Sequence, residues 1–203
     1  MMARRLSRHD DQPLTGLLNA VRRSARRDRV ALRDVLAAIG EGTITPVILI
    51  VCLLLVSPLS GIPGVPTVCA VIIVILSLQS LLGRRRLWLP NMIMRLQVGR
   101  ETLRRSVDWL QRPARWADRN SKPRLEFLTR GLMRYLVMAQ CAVIPLAWPA
   151  LELVPGVTSF AAATIALFAF GLFTRDGLFV LAGYVMMVAI PLALLVTAQA
   201  ALS

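Results

Sequence analysis

The 203 residues are 56% hydrophobic, with mean hydropathy +0.63 and a formal net charge of +13. Soluble domains run at about 45–50% apolar, and the apolar residues here are segregated. No charged residue lies between Thr43 and Leu82, and from Tyr135 onward the charges are Glu152, Arg175 and Asp176. Runs of this kind argue against an ordinary soluble core, and no zinc-finger spacing or aromatic-interleaved module accompanies the charge, so no nucleic acid is expected as a partner.

The basic residues are arginines, 23 of the 24, with Lys122 the exception. They form two blocks: nine Arg against five acids in residues 1–43, and twelve Arg plus Lys122 against four acids in residues 84–130. Such blocks stay on the cytoplasmic side of a membrane and attract anionic lipid head groups.

In chain order, the N-terminal M-M-A-R-R-L-S-R-H-D-D-Q-P has no apolar core and no cleavage site, so it is not expected to be a signal peptide. Leu14, Leu17, Leu18 and Val21 then follow helical spacing, as do Leu32, Val35, Leu36 and Ile39 after the break S-A-R-R-D. Each pattern suits an amphipathic helix, lying either in the membrane interface or on the protein's own cytoplasmic face. Gly40 and Gly42 end the second.

Ile44–Leu59 and Val65–Leu82 are apolar arms of 16 and 18 residues. As helices they reach about 24 and 27 Å, just short of a hydrocarbon core of about 30 Å. They are read as a hairpin, spanning or re-entrant, turned at Pro63 and Gly64: proline fixes φ and glycine takes the conformation a tight reversal needs. Arg84, Arg85 and Arg86 close the unit, with Trp88 suited to the head-group level. Pro90 starts a charged amphipathic helix, Met92–Gln111, expected along the cytoplasmic interface, and R-P-A-R-W-A-D-R-N-S-K-P reads as a polar linker.

The second half starts with Leu125–Met133. Tyr135–Leu153 is an apolar segment interrupted by Pro145 and Pro149, Val157–Phe173 is another, and after R-D-G the run Leu178–Ala200 has the length of a full span. Offset by 92 positions, I-P-G-V-P-T-V-C-A-V-I-I (Ile62–Ile73) overlies V-P-G-V-T-S-F-A-A-A-T-I (Val154–Ile165) without a gap. Pro155 and Gly156 thus take the places of Pro63 and Gly64. The reading is a duplicated hairpin. Four regions result: basic amphipathic helices over 1–43, a first membrane repeat over 44–111, a basic linker over 112–130, and a second membrane repeat with a final spanning helix over 131–203. The fold class is all-α: a polytopic integral membrane protein of two repeated helical hairpins plus amphipathic interfacial helices. Charge places the N-terminus in the cytoplasm and the C-terminus outside.

The polar inventory offers little chemistry. His9 is the sole histidine, and the cysteines Cys52, Cys69 and Cys141 sit singly in apolar segments as small hydrophobes. No nucleophile triad, zinc motif or phosphate loop occurs, so no catalytic residue, metal or cofactor is assigned. Candidate polar or anion-binding residues are Glu41, Gln79, Arg84, Arg85, Arg86, Gln140, Arg175 and Asp176. Glu41 flanks the first arm and would pair with an arginine or titrate. Gln79 and Gln140 lie within apolar arms and need hydrogen-bond partners, as helix–helix glue or as the lining of a polar path. The Arg84–Arg86 cluster suits phosphate, of a lipid or a lipid-linked sugar carrier. Asp176 is expected to pair with Arg175 or a nearby arginine. Ala162, Ala166 and Ala169 share a helix face that serves close packing within one chain or, equally, a homodimer.

Gly40–Glu41, the P-x-x-x-x-P-G of Pro58–Gly64, Gln79 and L-G-R-R-R-L-W-L-P (Leu82–Pro90) resemble the ExoD family of bacterial exopolysaccharide synthesis proteins, over roughly residues 28–200. The turn departs in having I-P-G where the family pattern has P-P-G, and the second half matches in pattern more than in letters. The resemblance implies a bacterial inner-membrane protein linked to exopolysaccharide production and, in some members, to survival of alkaline conditions. It implies no defined reaction. The expected role is non-enzymatic support of exopolysaccharide biosynthesis or export, engaging lipid or a lipid-linked carrier and the exopolysaccharide machinery. The alternatives are a small transporter with its site between the Pro-Gly hairpins, and an enzyme acting on lipid-linked intermediates.

Overall fold

The computed structural model describes residues 13–24, 29–31, 33–34, 44–56, 64–84, 88–90, 94, 97–122, 124–148 and 157–202. The expected second amphipathic helix falls almost wholly outside these residues, as do Glu41, Pro63, Arg85, Arg86, Glu152, Pro155 and Gly156. The described chain is helical apart from one small ribbon. Helix α1 is Pro13–Ser24, α2 is Ile44–Val56, α3 is Val65–Leu81 and α4 is Arg100–Asn120. Helix α5 is Gly131–Val143, α6 is Val157–Thr174 and α7 is Gly177–Leu202. Short 3-10 turns occupy Glu126–Leu128 and Ile144–Ala147. The ribbon pairs β1 (Arg29–Ala31) antiparallel with β2 (Gln97–Gly99), Val30 opposite Val98. Strands are absent from the sequence reading: three residues are too short for an alternation to show.

The apolar helices form one continuous core. Cross-pairing dominates: α2 packs on α6, and α3 on α5, so each half's first arm lies against the other half's second arm. Helix α7 packs back on α6, and α2 also touches α3. Glycines allow the α6–α7 approach: a Cβ on Gly171 would stand 2.7 Å from Val180 Cγ2, and one on Gly183 2.7 Å from the Phe168 ring. Ala162, Ala166 and Ala169 are all buried. Two edge-on aromatic pairs, Phe168–Tyr184 and Phe170–Phe179, with centroids 5.0 and 4.7 Å apart, lock the same interface.

The arms end where the sequence punctuates them. Helix α3 begins just after Gly64, whose φ of 84° is the left-handed conformation glycine adopts without strain. Pro145 converts the end of α5 into a 3-10 turn by removing a backbone donor. Among the described residues no helix is long and apolar enough to cross a membrane; α2 has 13 residues and α3 has 17.

The amphipathic layer differs from expectation in extent. Helix α4 does not stop at Gln111; it continues through Pro113 to Asn120, so residues 112–120 are helix and not linker. Pro113 lies on the exposed side, where the carbonyl it leaves unbonded can meet solvent. The opposite side continues the buried row Leu103, Val107, Leu110 and Ala114. That row takes the apolar face of α1, whose Leu14, Leu18 and Val21 are buried. Of the two alternatives for α1, packing on the protein itself is the one observed.

Candidate functional site

The candidate residues separate into three places. The first is the loop after α3. Gln79, buried in the last turns of the helix, donates from Nε2 to the Trp88 carbonyl at 2.6 Å and accepts the Trp88 N–H on Oε1 at 2.9 Å. One amide thereby satisfies both backbone groups of Trp88 and closes the arginine-bearing loop at its base. Buried amides find such partners because leaving them unpaired is costly; the partner here is the chain's own backbone, nine residues on, not another helix. Gly83 takes φ 69° and the Arg84 N–H bonds the Gln79 carbonyl at 3.0 Å, a Schellman-type closure. Arg84, Leu82 and Trp88 project outward. The loop therefore presents a guanidinium beside two large apolar groups, the pairing that suits a head-group layer.

The second place is the turn between α6 and α7. Asp176 is fully buried, at 0% exposure. Its Oδ2 accepts the Lys122 N–H and its Oδ1 the Leu178 N–H, both at 3.0 Å. The second bond caps the start of α7, and the Gly177 N–H adds a bond to the Arg124 carbonyl at 2.7 Å. Asp176 thus binds backbone rather than the expected arginine: burial favours fixed N–H donors close at hand over a long side chain brought in from solvent. Arg175 is exposed, with φ 58°. This carboxylate ties the segment after α4 to the second hairpin and is a structural group.

The third group is spread over α3, α5 and the residue after the Ile144–Ala147 turn, elements that pack on one another. Gln140 Oε1 on α5 is buried without a partner. Ser77 Oγ on α3 and Trp148 Nε1 after the turn are likewise buried and unpaired. Polar atoms in this state are uncommon and ask for water or a polar solute. The thiols of Cys52 on α2, Cys69 on α3 and Cys141 on α5 are free. Among the described residues no cluster of three His, Cys, Asp or Glu side chains could hold a metal ion.

One polar anchor escapes sequence reading. Asp118, on α4 and 5% exposed, accepts the Leu14 N–H on Oδ1 at 2.9 Å and the Thr15 N–H on Oδ2 at 2.8 Å. It satisfies two free donors of the first turn of α1 and places a negative charge at the positive end of that helix. At the other end of α1, Arg22 pairs with Asp108 at 3.6 Å. The two helices therefore run antiparallel.

A family model described as exopolysaccharide synthesis, ExoD, matches residues 14–197, nearly the whole chain. No curated protein and no solved structure matches at a significant level.

Proposed function

Because the chain belongs to the ExoD family, we propose that its part in exopolysaccharide synthesis is that of a membrane-embedded, non-enzymatic accessory protein of the bacterial inner membrane. It engages lipid, or a lipid-linked carrier, through its arginine-rich side. The observation that carries this reading is a set of outward apolar rows. On α7, Leu178, Leu181, Val185, Val188 and Leu192 are exposed at alternating steps of three and four residues. On α5 and the turn after it, Leu132, Leu136, Val143 and Leu146 are exposed; on and just after α3, Val71, Leu78 and Leu82. Water does not cover such rows on a stable monomer; hydrocarbon does. Helices apolar on all sides belong in that setting. The hairpins sit in the bilayer as short spans or re-entrant loops, the arginine blocks lie on the cytoplasmic side with the N-terminus, and the C-terminus emerges on the other.

The test replaces Val185 and Val188 with Asp. In a bilayer each charge costs roughly 2.5–3.5 kcal/mol near the centre, so the variant is expected to vanish from alkali-washed membranes and to leave a deletion strain without exopolysaccharide. On a chain that lives in water the same exposed substitutions would change stability by only about 0.5 kcal/mol, and retention of wild-type yield with both aspartates would sink the reading. A reporter active only outside the cytoplasm, fused after Ser203, checks the orientation.

The buried unpaired Ser77, Gln140 and Trp148 atoms favour a second reading, transport of a polar solute past the α3–α5 junction. Flux in proteoliposomes that is lost in Gln140→Leu would select it. Its absence, with lipid binding retained, would select the accessory role.

A further inference from the structure

Helix α4 has a second ordered face, turned away from α1. Arg105, Trp109, Arg112, Trp116 and Arg119 follow one another at steps of four, three, four and three residues. On a helix this places them in one line, about 21 Å from end to end at 1.5 Å per residue. All five are exposed, Trp109 to 54% and Trp116 to 65%. The side that packs inward needs none of them, being complete with Leu103, Val107, Leu110 and Ala114. The neighbouring acids are engaged: Glu101 holds Arg105 at 3.1 Å and Asp108 holds Arg22 of α1 at 3.6 Å. Among the described residues Arg112 and Arg119 have no ion-pair partner, so the row carries uncompensated positive charge on either side of Trp116.

We propose that this row is a docking face for an anionic bilayer surface, with Trp109 and Trp116 seated among the head groups and Arg112 and Arg119 on lipid phosphates. The inference rests on the membrane-embedded reading above and adds a defined contact to it. Five side chains in a straight line fit a plane rather than a cleft. An indole exposed to water gains by placing its ring at the acyl boundary with its N–H still wet. A guanidinium binds phosphate oxygens in pairs. Alternation of the two residue types gives each indole a flanking cation on both sides, the arrangement of an interfacial helix. A protein partner would call for a concave or self-complementary apolar patch, whereas this row interrupts its apolar groups with charge at every step.

The experiment uses the full chain reconstituted in vesicles of phosphatidylcholine alone or mixed with phosphatidylglycerol, containing lipids brominated near the head group. In mixed vesicles the bromine is expected to quench wild-type fluorescence more than that of a Trp109→Phe/Trp116→Phe variant. The difference should vanish in phosphatidylcholine alone and in molar salt, where charges are screened within about 3 Å. Arg112→Gln/Arg119→Gln should lower the docking equilibrium constant about fivefold for each arginine, while Arg112→Lys/Arg119→Lys keeps it. Equal quenching of wild type and the double Phe variant in mixed vesicles overturns the proposal. So does a difference that persists undiminished without anionic lipid. Protection from aqueous acrylamide without bromine quenching overturns it in favour of a protein partner or a second copy. A chain that resists alkaline extraction yet shows no bromine difference overturns this face alone; a chain that alkali releases overturns the membrane reading with it.

Discussion

The second arms of the two halves, α3 and α6, end on the same backbone pattern at positions 92 residues apart. Gly83 and Arg175 both adopt positive φ, 69° and 58°. The N–H of Arg84 reaches the Gln79 carbonyl, and that of Asp176 reaches the Gly171 carbonyl, each at 3.0 Å. Beyond this shared closure the halves diverge. In the first half the residue after the cap is an exposed arginine, and the loop is held by the Gln79 amide. In the second it is a buried aspartate that binds two backbone donors, and the Gln79 counterpart is Gly171, which lets α7 approach. One cap therefore supports a surface loop in one half and a packed corner in the other. A helix ending specifies the reversal of the chain, while the next side chain decides whether it faces the surface or the core.

Substitutions at matched positions can break this contrast. The largest effect is expected for Asp176→Ala, which strands the Lys122 and Leu178 N–H groups, at about 3 kcal/mol for hydrogen bonds to a buried charge. Arg84→Ala, its counterpart, should stay within about 0.5 kcal/mol. Denaturant unfolding in micelles compares the two, and equal losses would dissolve the distinction. Gly171→Ala comes next. The added Cβ would lie 2.7 Å from Val180 Cγ2 and 2.9 Å from the Val180 backbone nitrogen, and forced separation of α6 from α7 should cost roughly 2 kcal/mol. Gln79→Leu removes the Trp88 clamp. A loss of about 1 kcal/mol is expected, with faster hydrogen exchange at the Trp88 amide; unchanged exchange would show the loop to be held by other means. A reciprocal exchange sharpens the comparison. Arg175→Gly should stabilise, and Gly83→Ala destabilise, each by about 1 kcal/mol, because only the glycine takes positive φ freely.

The apolar arms are legible in the sequence because their cause is local. Val65, Val157 and the R-D-G break mark helix ends through composition alone, and α3, α6 and α7 begin and end within two residues of the positions read for them. The corner at Asp176 is visible as a charge but not as a cap, since its donor Lys122 lies 54 residues away. Pro113 reads as a stop, yet its local preference is outweighed by the long buried row of α4 against α1. The Asp118 anchor gives no signal because an N-cap is ordinarily sought in the residue before the helix, and this one comes from another helix. The line of Trp109 and Trp116 is present in the letters, hidden by the assignment of Trp116 to a linker.

The Asp118 bonds to Leu14 and Thr15 join residues 104 and 103 positions apart. A ribosome therefore releases α1 long before it makes the carboxylate that holds it. At about 5–20 residues per second, the nascent helix waits some seconds with its apolar stripe bare, while α2 and α3 emerge behind it. Its docking on α4 is completed only when the aspartate arrives. Assembly of the α1–α4 layer is in this way timed by the chain itself, as the closing event of the first half's biogenesis.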